Sequence, residues 1–481
     1  MGNSACSCCL LCLKEKEAVI DVHKLVYKSI CEYPCNTLSD LTLRRGDILE
    51  VIEEGERWVF AKKISPQHDK KGFTEEQIHV PRDFVKPVDS LEAQPWYFEN
   101  ITNRTGAKRC LLRPENSEGA FLVWRSTENN CFYLSVKNGP YARHYKIRET
   151  ESDKRFYLVS RKTFQTLPEL VRSYSKHQDG LCARLNLPCI MLDNPSLPSL
   201  SYEEQWEIDR NSLTKVKKLG SGEFGEVWHG MWNNMIDVAI KEFRVISPDI
   251  QTEIKIMKEL QHKHLLRLYA VCTVDEPFCI VTELMKNGSL KKYLISHKEL
   301  RDVEFTLMVD FAVQITEGME YLESKNIVHR DLRADNILLT EMLSCKIADF
   351  GLAQFIFPQD QQLSSGKVPI KWMAPEIFAG KDYTKKCDVW SFGILLTEII
   401  TYGNDPYPDM DNVACIQAIQ RGERMERPSD CPVTLYDIIL LCWHSNPDER
   451  PAFMELHDKL SALIPEPVVV LDENFATVDI N

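Results

Sequence analysis

Long apolar runs, long basic runs and matched cysteine pairs are all missing from this 481-residue chain. No hydrophobic stretch approaches the ~18 residues that a membrane-crossing helix needs, so the chain is expected not to span a bilayer. A formal charge of −13 opposes the counterion release that drives binding to nucleic acid, and no basic cluster offsets it, so no nucleic acid partner is expected. The 17 cysteines are scattered without the paired spacing of a zinc site or a compact secreted framework. They read as reduced thiols of an intracellular protein. Tyrosine occurs 16 times, yet residues 349–376 and 465–481 contain none.

What is present is ordinary for globular cores: 44% hydrophobic and 27% charged residues, in a length that suits about three compact units. The amino end, "MGNSACSCCLLCLK", places Gly2 where a myristoyl chain attaches, with Cys6, Cys8 and Cys9 beside it as thioester acceptors for palmitate. Cys6 stands where a hydroxyl is usual. Lys14 and Lys16 are cancelled by Glu15 and Glu17, so stable attachment to a membrane surface needs a second acyl chain. A plain flexible tail and a four-cysteine metal knot are the alternatives.

Residues 25–88 alternate apolar and polar positions in short runs broken by glycine, the pattern of a small all-β unit. Residues 95–190 mix strands with two helical stretches. Residues 191–212 form a linker with Pro195 and Pro198 spaced as P-x-x-P. Residues 213–464 begin as strands and continue mostly as helices, and 465–481 are a tail.

The third unit carries the chemistry. "GSGEFGEV" sets Gly220, Gly222 and Gly225 between two strand-like runs, "VAIK" ends a strand with Lys241, and a helix capped by Ser247 and Pro248 carries Glu253. Further on, "HRDLRADN" supplies Asp331 and Asn336, and "DFG" supplies Asp349. Phosphoryl transfer needs a base for the acceptor hydroxyl, oxygen ligands for a divalent metal and a cation for the phosphates. Asp331, then Asn336 with Asp349, then Lys241 with Glu253 as its holder, fill these roles. Each motif alone is weak; their joint order and spacing are not.

On these motifs residues 213–464 resemble a protein kinase domain, and "PIKWMAPE" with "CDVWSFG" resembles the tyrosine-specific branch. The resemblance implies ATP held by Gly220, Ser221, Gly222, Phe224, Gly225, Val227 and Ala239, with Thr282 as gatekeeper and Glu283 and Met285 at the adenine hinge. It also implies Mg²⁺, or Mn²⁺ in its place, on Asn336 and Asp349. Arg333 and the shelf Pro369–Trp372 would face a substrate tyrosine, Glu376 would pair with Arg450, and Asp388 would anchor the catalytic loop. Asp335 departs from the usual alanine and adds a negative charge near the base. With residues 25–88 similar to an SH3 domain and 95–190 to an SH2 domain, the chain resembles a Src-related non-receptor tyrosine kinase of the divergent Brk/Frk/Srms-like branch. The implied fold is multidomain α+β: a small all-β SH3 barrel, an α+β SH2 domain and a bilobal kinase domain. A monomer is expected.

The phosphate-reading parts depart from that family. In "FLVWRS" Trp124 stands where SH2 domains place a pocket arginine, and Arg125 follows one residue later. Strand side chains alternate, so Arg125 points away unless the strand slips by one. An indole has one donor and no charge to set against a phosphate of about −1.5 to −2, and losing such a contact costs roughly 2–5 kcal/mol. Asn103 stands at a second arginine position, while the assisting His144 and Lys146 remain. Weak or no phosphotyrosine affinity follows.

The SH3-like part keeps Tyr33, Trp58, Pro81, Phe84 and Asp40 for a proline-rich groove, but has Cys31 for one groove tyrosine. Weak proline-rich ligands, or its own Pro195–Pro198 linker, are expected there. In the activation segment Gln361 or Gln362 replaces the phosphorylated tyrosine and Gln354 replaces its arginine partner. The expectation is a kinase for protein tyrosine that works without phosphotyrosine control. The rival readings are a pseudokinase scaffold and a serine/threonine or dual-specificity enzyme.

Overall fold

The computed structural model describes residues 25–30, 33–34, 42–55, 58–64, 77–126, 130–151, 153–191, 206–222, 225–234, 236–245, 247–274, 276–355 and 369–464. The chain divides into two units, Met1–Ala93 and Gln94–Asn481. No helix among the described residues is long and apolar enough to cross a membrane.

The first unit is all β. Its strands are β1 (Val26–Ser29), β2 (Tyr33–Pro34), β3 (Thr42–Leu43), β4 (Ile48–Glu54), β5 (Trp58–Ile64), β6 (Gln77–Pro81) and β7 (Val85–Pro87). Five of them form an antiparallel sheet in the order β6-β5-β4-β1-β7, and β2 pairs with β3. Val26, Leu43, Leu49, Val59, Ala61, Ile78, Val80 and Phe84 fill its core.

The second unit opens with helix α1 (Arg104–Leu111) and strands β8 (Phe121–Arg125), β9 (Phe132–Asn138) and β10 (Tyr141–Lys146), which form a sheet in the order β10-β9-β8. The short pair β11 (Arg148–Glu149) and β12 (Phe156–Tyr157) and helix α2 (Leu167–Lys176) follow. Asn103 caps α1 by accepting the Gly106 N–H at 2.8 Å, and Thr166 caps α2 in the same way.

Next comes a five-stranded antiparallel sheet of order β13-β14-β15-β17-β16. Its members are β13 (Leu213–Gly222), β14 (Gly225–Trp232), β15 (Ile236–Phe243), β16 (Leu268–Cys272) and β17 (Phe278–Glu283), with α3 (Pro248–Glu259) after β15. Ser247 caps α3 and Pro248 fits its first turn.

The remainder is mainly helical: α4 (Leu290–Ser296), α5 (Phe305–Ser324), α6 (Pro375–Phe378), α7 (Lys385–Ile400), α8 (Asn412–Gln420), α9 (Val433–Cys442) and α10 (Phe453–Ser461). The small ladders β18 (Ile327–Val328) with β21 (Gln354–Phe355), and β19 (Ile337–Leu339) with β20 (Cys345–Ile347), carry the loops between the two parts. α5 and α7 are buried nearly all round, which is why their sequences are apolar without a clear stripe. At Gly318 of α5 a Cβ would lie 2.8 Å from Ile347 Cδ1, so β20 seats directly on the helix.

Candidate active site

Lys241 in β15 stands opposite Val227 and Ile280, and Ala239 stands opposite Thr282. Opposed residues share a face and side chains alternate, so Val227, Ala239, Lys241 and Thr282 line one face of the sheet. Gly220, Ser221 and Gly222 close β13, with Gly222 opposite Gly225 at the start of β14. A Cβ on Gly225 would sit 1.7 Å from the Glu242 carbonyl oxygen; only glycine fits there. Glu283 faces the other way, and its buried carboxylate pairs with Lys346 at 2.7 Å. Its main chain is what borders the face with Thr282, and Met285 follows in the connecting segment, half-buried.

From this face Lys241 Nζ reaches Glu253 at 2.8 and 3.2 Å and Asp349 Oδ1 at 3.6 Å. Burial alone would lower the amine's pKa, but the charges of Glu253 and Asp349 outweigh it and hold it above the usual lysine range. Lys241 in turn keeps Asp349 ionised, below the ordinary carboxylate range, against the effect of burial. Asp349 has φ +64°, a left-handed conformation that aspartate tolerates better than most residues. Phe350 beside it is buried, its ring 5.3 Å from that of His329.

Two buried carboxylates of α7 hold the catalytic loop. Asp388 accepts the N–H groups of His329 and Arg330 at 2.7 and 2.9 Å, and Glu398 accepts that of Ala334 at 2.9 Å. Between them Asn336 Nδ2 donates to the Asp331 carbonyl at 2.8 Å and to Oδ2 at 2.7 Å. The other carboxylate oxygen, Oδ1, is buried and has no hydrogen-bond partner among the described residues. Burial pushes the Asp331 pKa up to about 6, against the Asn336 bond and the Arg333 charge. Such a group is ionised at neutral pH and has a free acceptor for a hydroxyl proton, the requirements for a general base.

Arg333 lies over the Trp372 ring at 4.2 Å, and Trp372 is fixed by its Nε1 bond to Glu398 at 3.0 Å and by Ser391 Oγ on its carbonyl at 2.8 Å. Glu376 and Arg450 form a bidentate buried pair at 2.7 and 2.8 Å. Asp335 places a negative charge near the base, as its sequence position suggests, and adds to the upward pull on Asp331; Arg333 binds it at 2.7 Å and Lys291 lies 3.5 Å away, which offsets part of that charge.

Asn336 and Asp349 offer an amide oxygen and an ionised carboxylate, donors that suit a hard divalent cation. Among the described residues no group of three or more His, Cys, Asp or Glu side chains could hold a metal by itself. An ion here would therefore draw most of its shell from phosphate oxygens and water.

Two functional contacts escape sequence reasoning. Glu398 is the only charge between Asp388 and Asp405, a signal that could have marked it. Arg330, at φ +68°, lies 4.4 Å over the Tyr383 ring; this cation–π contact holds the guanidinium, with the charge of Asp388 nearby, and no local pattern announces it.

In the sheet β10-β9-β8 the ladder runs without a shift, Trp124 opposite Tyr133 and Arg125 opposite Phe132, so no strand slip occurs. Trp124 is 2% exposed, stacks on Tyr133 at 4.8 Å and donates Nε1–H to Ser135 Oγ at 2.8 Å. Ser135 Oγ also meets His144 Nδ1 at 2.8 Å. Burial, with the nearby charges of Arg104 and Lys108, lowers the His144 pKa to about 4. Arg125 is exposed and lies over the Phe132 ring at 5.3 Å. Lys146, half-buried, ends β10.

In the first unit Phe84 is buried, and Tyr33, Trp58 and Pro81 lie in β2, β5 and β6. Gly2, Cys6, Cys8, Cys9, Asp40, Phe224, Gln361, Gln362, Pro195 and Pro198 lie outside the described residues.

A strand-borne lysine held by a helix carboxylate, a loop aspartate bound by asparagine and a second aspartate beside the lysine together define a phosphotransferase site of the kinase kind. The protein tyrosine and serine/threonine kinase family matches residues 213–460, and the SH2 domain family matches residues 96–174. The chain belongs to the protein kinase family, on its SH2-bearing, Src-related tyrosine branch. It is similar to the human tyrosine-protein kinase FRK, with 42% identity over 450 residues, 91% of this chain and 88% of that one. Membership in this family implies ATP and a divalent metal.

Proposed function

We propose that this chain transfers the γ-phosphate of ATP to tyrosine hydroxyls of proteins, with Mg²⁺, and does so without phosphotyrosine in its activation segment. The observation that carries this reading is the closed Lys241–Glu253 pair beside Asp349, with the unshared Asp331 oxygen on the same loop as Asn336. Lys241 and the glycine hairpin would hold the triphosphate. Asn336 and Asp349 would hold the metal, which when bound neutralises charge building on the phosphates. Asp331 would take the phenolic proton, and Arg333 on Trp372 would border the incoming ring. The Arg330–Tyr383 contact supports independence from phosphate, since the guanidinium that a phosphorylated loop usually engages is already held.

The reading extends to the other parts. Acylation at Gly2 and a neighbouring cysteine would bring the protein to a membrane surface, supported by the opening sequence and by the marginal binding of a single acyl chain. The first unit would act as an SH3 domain for proline-rich segments, supported by its strand order and by the groove positions in its sequence. The SH2 domain would bind phosphotyrosine weakly, supported by the buried, internally bonded Trp124.

The test is turnover of a tyrosine peptide by the full-length protein after exhaustive tyrosine-phosphatase treatment. Treated and untreated enzyme should turn over equally, and Lys241→Met should lose about 10²–10³-fold. A treated enzyme that is inactive, or wild type no faster than Lys241→Met, refutes the reading. For the membrane part, Gly2→Ala should move the protein from the membrane to the soluble fraction; retention there would remove the acylation proposal.

A further inference from the structure

Helix α1 of the SH2 domain lies against α5 of the kinase domain, and the contact has a buried charge at its centre. Asp310 of α5 is 1% exposed, and its carboxylate is bound by Arg109 NH1 at 2.6 Å, Asn103 Nδ2 at 2.7 Å and Gln314 Nε2 at 2.8 Å. Two of these three donors belong to α1 and its cap. Around them Lys108 pairs with Glu304 at 2.8 Å, and Arg113 donates to the Glu341 carbonyl at 2.8 Å. Met342, in the turn between β19 and β20, joins the SH2 hydrophobic cluster with Phe98, Leu111 and Trp124.

A carboxylate at this depth is held only while cations and donors surround it. Remove α1, and Asp310 keeps Gln314 alone among these three. Asn103, which stands where the family often has a second phosphate-binding arginine, spends its amide on Asp310 instead.

We propose that the kinase helix α5 is the resident ligand of this SH2 domain: Arg109 and Asn103 recognise Asp310 in place of a phosphotyrosine, and dock the domain on the kinase independently of phosphorylation. The docked arrangement coexists with the closed Lys241–Glu253 pair. It also adjoins the strand that leads to Asp349, since Gln314, bound to Asp310, accepts the Cys345 N–H of β20 at 2.8 Å. Docking therefore accompanies the assembled catalytic site.

The exposed Lys108–Glu304 pair supplies a native reporter. A zero-length carbodiimide joins the lysine to the carboxylate only when the helices are docked, and the joined peptides are counted by mass spectrometry. In the full-length protein, Arg109→Leu should reduce this product by on the order of ten-fold or more, because it strands the Asp310 charge. Adding Asp310→Asn to Arg109→Leu removes that charge while keeping an amide oxygen for Gln314, and most of the yield should return. Far-UV circular dichroism and the melting transition of each variant establish that it is folded. Excess phosphotyrosine peptide should leave the wild-type yield unchanged. An unchanged yield in folded Arg109→Leu, a double variant no better than the single one, or release by phosphotyrosine peptide would each overturn the proposal. Should Arg109→Leu not fold, Asp310→Asn alone decides, since it too must lower the yield.

Discussion

Lys241 in the kinase domain, half-buried, and Trp124 in the SH2 domain, buried, both stand on a strand at a place where the family puts a cation for phosphate, yet only one cation survives. The difference lies in what surrounds each position. Lys241 has two carboxylates of its own, Glu253 and Asp349, so its charge is balanced before any nucleotide arrives. Around Trp124 the nearby ionised groups that reach His144 are Arg104 and Lys108, both cationic. With only these cations near it among the described residues, an arginine at 124 would be balanced by an arriving phosphate, and would be a buried, repelled charge the rest of the time. Indole avoids that cost, because its single N–H is satisfied by Ser135 and its ring by Tyr133. A cation that reads phosphate is cheap to keep where internal acids hold it, and costly where only the ligand does.

Restoring the lost cation is the most direct way to break this comparison. Trp124→Arg should raise the affinity of the SH2 domain for a phosphotyrosine peptide by about 10²–10³-fold, since a buried charged hydrogen bond is worth roughly 2–5 kcal/mol. The same change should lower the ligand-free stability by about 3–5 kcal/mol, through the lost indole volume and the unbalanced charge. Calorimetric titration and chemical denaturation measure the two effects. Gain in affinity without loss of stability would show that the site tolerates a free cation, and the contrast with Lys241 would fail.

How much of this was legible in the sequence follows the distance between partners. Lys241, Asp331, Asn336 and Asp349 were readable because each sits in a short motif whose spacing is fixed by a strand end or a tight loop. Glu253 was readable because Ser247 and Pro248 announce its helix. Trp124 stood out because strand alternation puts it, and not Arg125, on the inner face, and the unshifted ladder keeps it there. Asp335 was readable as a charge near the base, but its partner Lys291 was not, because it lies 44 residues earlier, outside any motif. Arg109 and Asp310 are 201 residues apart, and neither alone marks a contact with the other's helix. Spacing rules see along one element; a contact between helices of two domains leaves no periodic trace. Gln354 lies in β21, while the segment that follows it with Gln361 and Gln362 falls outside the described residues.

A smaller effect sharpens the same comparison, because burial moves the two regions in opposite directions with pH. Asp331 is raised to about 6 and His144 lowered to about 4, both chiefly by burial. For Asp331 the native state holds its proton more tightly than the unfolded chain does. Acidification from pH 6 toward 4 therefore adds stability locally while it removes the base. For His144 the native state resists the proton, so acidification from about 6.5 toward 4 subtracts stability while the imidazole stays neutral. The rate kcat/KM should therefore be flat above about pH 7 and fall about ten-fold per unit below 6. The His144 ring signals in NMR spectra of the full-length protein should not move until near pH 4. An acid limb centred well below 5 would mean that Asp331 is not held by burial as described. A His144 that titrates near 6.5 would mean that the Trp124–Ser135–His144 chain is open to water, and that the SH2 pocket is not the sealed counterpart of the kinase site.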